Sequence, residues 1–136
     1  MRKGLRIRGH RGHPVVRRAL IRYARWLRQN YKFPIRVPVY LSPHPTIRKQ
    51  DGEEVSATFF GPYDKTEEPY IRISTGDHAL MRSERCRADV LASYIVSLSH
   101  EVIHYQQWLR GPTTERGVNR GAVRMLRRYE KTTRWP

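Results

Sequence analysis

The stretch Ser97-Leu98-Ser99-His100-Glu101-Val102-Ile103-His104-Tyr105-Gln106-Gln107-Trp108 decides how this chain reads. Two histidines stand four apart, with a glutamate directly after the first. Residues at that interval share one face of a helix, one turn apart. Two imidazoles so placed can reach one Zn²⁺ with bonds of about 2.0–2.1 Å. Glu101 then falls about 100° around the helix from His100, beside the metal. From there a carboxylate can accept a proton from a bound water and pass it to a leaving amine. The bland alternative is an amphipathic helix that carries two surface histidines. The apolar run Tyr94-Ile95-Val96-Ser97-Leu98 ahead of the motif argues for burial, and buried imidazoles need partners.

Around this stretch the apolar residues Leu91, Tyr94, Ile95, Leu98, Val102 and Tyr105 form a stripe. They predict a long helix that begins between Arg82 and Arg87 and stops at Gly111-Pro112. Beyond the stop, Thr113 or Thr114 can cap a last helix, with Glu115 in its first turn. Val118, Ala122, Met125, Leu126 and Tyr129 give that helix an apolar side.

A catalytic zinc needs three protein ligands and a water. No histidine follows His104, so the downstream candidates are Glu115 and Glu130. A chain reversal at Gly111-Pro112 returns Glu115 towards the motif, which makes it the expected third ligand. Asn119, four residues further on, is placed to hydrogen-bond a ligand imidazole and fix its tautomer. The other histidines, His10, His13, His44 and His78, are expected in loops or in the N-terminal arm.

Upstream the period is different. Residues 1–13 alternate Arg, Gly and His and predict a flexible basic arm, in which only Leu5 and Ile7 hint at a strand. From Pro14 the residues Val16, Ala19, Leu20, Tyr23 and Leu27 recur at helical spacing to about residue 30. Arg18, Arg22 and Arg25 fall on the opposite side, as a solvated face or a nucleic-acid contact. Three strands follow: Ile35–Leu41, Val55–Phe60 after the Asp51-Gly52 turn, and Pro69–Ser74. The expected fold is α+β: an N-terminal helix, a small, mostly antiparallel three-stranded twisted sheet, the motif helix and a C-terminal glutamate helix. Residues 14–131 form one domain and 132–136 a tail.

His100-Glu101-x-x-His104 with Glu115 and Asn119 beyond it resembles the zincin metallopeptidases of the gluzincin type, and most closely the small single-domain minigluzincins. The resemblance covers about Pro69 to Tyr129, and more weakly the N-terminal helix and strands. It implies one Zn²⁺ held by His100, His104 and a glutamate on a following helix. It also implies Glu101 as general base and substrate bound along a sheet edge, with Val55–Phe60 favoured over Pro69–Ser74. The spacing from His104 to Glu115 is shorter than in larger gluzincins. The family's oxyanion-stabilising Tyr or His has no clear counterpart. Tyr129 is the candidate, against its reading as a core aromatic, while Tyr105 points about 140° away from His100.

The chain of 136 residues carries 27 Lys and Arg against 12 Asp and Glu, a net charge of +15. Such a field attracts polyanions, so nucleic acid joins a peptide or protein substrate as an expected partner. Two further readings follow. One is a DNA-associated protease of the SprT-like kind, although those resemble this motif with a third histidine that is missing here. The other is a basic nucleic-acid-binding protein whose zinc is structural or absent. Cys86 is the only cysteine, so no internal disulfide forms. No apolar run reaches the length of a membrane span, and the N-terminus has no apolar signal core. A cytoplasmic location is the simplest expectation.

Overall fold

The computed structural model describes residues 2–132. The fold is α+β, with four helices and a small mixed sheet among the described residues.

The first element is a strand, β1 (Leu5–Arg8). The structure thereby corrects the expected arm over these four residues. Leu5 is fully buried, and β1 pairs in parallel with β2 (Val37–Ser42). Between them runs α1 (Pro14–Asn30), so the N-terminal third is a β-α-β unit. Pro14 opens α1 where a missing N–H costs little, and His13 Nδ1 accepts from the Val15 N–H. Val16, Leu20, Tyr23 and Leu27 are buried as their spacing predicts, and Ala24 and Trp26 join them. Arg18, Arg22 and Arg25 are exposed.

A short hairpin follows, β3 (Ile47–Arg48) with β4 (Glu54–Val55), turned at Asp51-Gly52. Gly52 has φ +87°, a backbone that side chains other than glycine's rarely adopt. The expected strand Val55–Phe60 is divided at Ser56. Its first part belongs to the hairpin, and its second is β5 (Ala57–Phe60), which pairs antiparallel with β6 (Tyr70–Ser74). β6 in turn lies parallel to β2. The sheet order is β1-β2-β6-β5, so two of its three ladders are parallel. The expectation of a three-stranded, mostly antiparallel sheet is corrected on both counts. The crossover between β1 and β2 is α1, while β2 reaches β6 through the β3–β4 hairpin and β5.

Three helices close the fold. α2 (His78–Glu84) is a short helix where a loop was expected, so His78 is helical. α3 (Arg87–Arg110) carries the histidine motif. Its apolar side includes Val90, Leu91, Tyr94, Ile95, Leu98, Val102, Tyr105 and Trp108. Each such side chain stabilises by about 1.5–3 kcal/mol when fully buried. α4 (Val118–Thr132) returns along α3 and buries Val118, Ala122, Met125 and Tyr129. It begins three residues after Glu115, at Val118, just past Gly117 with φ +75°. The expected glutamate helix is therefore corrected: Glu115 lies in the connecting loop. Of the expected tail, residues 133–136 lie outside the described residues.

Thr75 fastens the ends of the central strands. Its N–H and its hydroxyl both donate to Ser42 O at 2.8 Å, and the hydroxyl accepts from the His13 N–H at 2.9 Å. The next residue, Gly76, passes so close to the 43–45 segment that a Cβ there would sit 2.3 Å from Pro43 O. These contacts lock the sheet to the N-terminus of α1. They leave α3 packed across the sheet, with its motif beside β5.

Candidate metal centre

His100 and His104 lie one helical turn apart on α3, and their Nε2 atoms are 3.2 Å from each other. His104 is buried, and His100 faces the mouth of a cleft of about 500 Å³. The wall opposite is formed by β4, β5 and the Lys49–Glu53 turn, and Val55, Ala57, Thr58 and Phe59 line it. Lys49 pairs with Glu53 at 3.5 Å across this turn.

The outer nitrogen of each imidazole meets a side-chain amide oxygen. His104 Nδ1 lies 3.0 Å from Gln107 Oε1, and His100 Nδ1 lies 2.8 Å from Asn119 Oδ1. The Gln107 orientation is fixed independently, because the Thr114 N–H also donates to Oε1, at 3.0 Å. An oxygen that accepts there obliges His104 Nδ1 to carry the proton. Its Nε2 then presents a lone pair to the centre, and the Asn119 bond does the same for His100.

Glu115 closes the group from the loop between α3 and α4. Its Oε1 is 2.6 Å from His104 Nε2, and its Oε2 is 3.1 Å from His100 Nε2. Its side chain remains 74% exposed, so the approach is from the solvent side. Glu101 comes from the helix itself and is 94% buried, and its carboxylate, with His100 and His104, forms a group whose ligand atoms all lie within 4.8 Å. Burial raises the Glu101 pKa above the ordinary carboxylate value, against the opposing pull of His100 and His104.

The donor set fits a divalent ion of the zinc type. Tetrahedral coordination with Zn–N bonds of about 2.0–2.1 Å separates two imidazole nitrogens by about 3.3 Å, close to the spacing present. Two lone pairs and a carboxylate converging on one point require a shared cation or proton there. The imidazoles are held in the required tautomer by hydrogen bonds from outside the centre, as metal-binding histidines are.

The remaining expected site residues are elsewhere. Tyr129 is a core aromatic, packed edge-on against Tyr23 at 4.9 Å and Trp26 at 5.5 Å, and does not line the cleft. Its expected role at an oxyanion is corrected on that ground. Tyr105 turns away, and its hydroxyl donates to Ile35 O. Arg18, Arg22 and Arg25 form an exposed face on α1 and do not line the cleft. Gln107 was missed in the sequence reading, although its place three residues after His104 puts both on one face. Lys49 was also missed, because only the hairpin fold brings it to the cleft.

No family model matches the chain, and neither a curated protein nor a solved structure matches it. Among the described residues, no helix is long and apolar enough to cross a membrane.

Proposed function

We propose that the chain is a zinc-dependent peptidase of the gluzincin type. The observation that carries this reading is the convergence of His100 Nε2, His104 Nε2 and the Glu115 carboxylate, with the buried Glu101 beside them. His100, His104 and Glu115 would hold the ion, and Asn119 and Gln107 would fix the imidazoles. Bound zinc supplies a Lewis acid for a scissile carbonyl and lowers the pKa of a coordinated water. Glu101 accepts the proton and delivers it to the amine that leaves. Burial, which raises its pKa, makes it the readier proton acceptor. β5 is one of the sheet's two edge strands and lines the cleft, so an extended peptide can add to it through backbone hydrogen bonds.

The test is metal content together with turnover. Protein equilibrated with Zn²⁺ and dialysed is expected to keep one ion per chain. Glu101→Gln is expected to keep the ion and lose hydrolysis of a quenched-fluorescence peptide library. A wild-type chain that retains no stoichiometric zinc would defeat the reading.

A further inference from the structure

The sheet has two faces of opposite character. Leu5, Val37, Val39, Leu41, Ile71 and Ile73 point into the core. The alternate positions face outward, away from α1 and α3. Register aligns Arg8, Tyr40, Arg72 and Thr58 in one row across all four strands. Beside it Tyr70 pairs with Phe60.

The aromatic residues on this face touch one another. The Phe60 and Tyr70 rings stack at 5.1 Å, and Tyr40 meets Tyr70 edge-on at 6.1 Å. Tyr40 is 44% exposed and Phe60 47%, although large aromatics are ordinarily sheltered. Of the flanking cations, Arg6 and Arg8 are exposed, and Arg72 is half-buried. None of the four strands contains an acidic residue. Among the described residues, Arg6, Arg8 and Arg72 make no ion pair, and Arg72 Nε is buried without a hydrogen-bond partner. Glu68, two residues ahead of β6, is engaged by Arg36 at 3.5 Å.

We infer that this outer face binds single-stranded nucleic acid. Open aromatic rings on a sheet face offer stacking surfaces to bases, and guanidinium groups beside them meet phosphates. A duplex keeps its bases stacked on one another and cannot use the rings. An anionic lipid surface would use the arginines, but these rings pack against each other and do not project as an apolar wedge. Of the residues named on this face only Thr58 also lines the metal cleft, while Arg8, Tyr40, Arg72, Tyr70 and Phe60 do not. Binding at this face therefore does not depend on the peptidase reading.

The experiment is fluorescence anisotropy with a labelled oligothymidylate of about fifteen nucleotides, run with and without a zinc chelator. The chain is expected to bind it more tightly than a duplex of equal length, with affinity falling as salt rises. Tyr40→Ala and Phe60→Ala are each expected to weaken binding about tenfold. Both positions are exposed, so circular dichroism and Tm should match wild type. Tyr40→Trp should retain affinity, and Arg72→Ala should reduce the salt slope. Three outcomes would overturn the inference. They are equal affinity for duplex, binding to phosphatidylserine vesicles without binding to the oligonucleotide, and a folded Tyr40→Ala/Phe60→Ala variant that binds as wild type does.

Discussion

Gln107 Oε1 lies 3.0 Å from His104 Nδ1 and the same distance from the Thr114 N–H, so one acceptor serves both the motif helix and the loop that carries Glu115. The link runs from a side chain on α3 to the backbone one residue before Glu115. Orientation of the imidazole and placement of the carboxylate are thereby coupled through a single amide.

Gln107→Ala is accordingly expected to weaken zinc binding by about 10- to 100-fold, as loss of an outer partner to a ligand imidazole does. Asn119→Ala removes only the His100 partner, so its effect should be the smaller of the two. Competition against a fluorescent chelator measures both. Equal affinity of Gln107→Ala and wild type would show that the loop holds Glu115 without this bond.

Glu115→Ala removes a carboxylate that lies within 3.1 Å of both Nε2 atoms. Zinc affinity should fall by more than about a hundredfold, further than for either amide variant. Tm of the metal-free protein should scarcely change, because the side chain is 74% exposed and surface ion pairs contribute little. Calorimetry with and without a chelator separates the two effects.

His78 stacks on His13 with ring centroids 4.0 Å apart. Burial, then the His13 ring and Arg82, hold its pKa below the ordinary value of 6.5, with a further push from Arg87 and an opposing pull from Asp77. The unfolded chain therefore takes up this proton more readily than the folded one. Its contribution to stability is present above about pH 6.5 and is lost as pH falls through the depressed folded value. Tm should drop between pH 8 and pH 5, and the drop should be smaller in His78→Gln. Parallel pH profiles of the two proteins would contradict this.

Gly76→Ala should destabilise by about 1–3 kcal/mol, since overpacking against fixed atoms costs that much. The obstruction is backbone: a Cβ at this position would meet Pro43 O at 2.3 Å and His44 C at 2.5 Å. Gly4, where nothing lies within 4 Å, has φ +106° and is no neutral comparison. Gly111, with open space and an extended φ, is the better control, and Gly111→Ala should leave the thermal midpoint nearly unchanged.

Legibility in the sequence followed the range of the interactions. α1 was readable, because Pro14 and the spacing of Val16, Leu20, Tyr23 and Leu27 are local signals. The pairing of His100 with His104 was readable for the same reason, and the return of Glu115 followed from the Gly111-Pro112 break. That Glu115 sits ahead of α4 was not readable, because Gln107 and Thr114 fix the loop through a contact seven residues apart. β1 was hidden because half of its four residues are outward arginines, and only partnership with β2 makes Leu5 a core residue. Tyr129 carried two readings, and its packing on Tyr23 and Trp26 belongs to α1, a hundred residues away in the chain.

The place of Leu5–Arg8 at the sheet margin also governs how the protein tolerates shortening. Trimming those residues would uncover the hydrogen-bonding side of β2, where Val37 and Val39 are fully buried. A newly opened margin of that composition is a template on which a second chain can align. In the intact molecule the arginines of β1 stand at that margin, so the segment that looks most dispensable by composition acts as its guard against self-association.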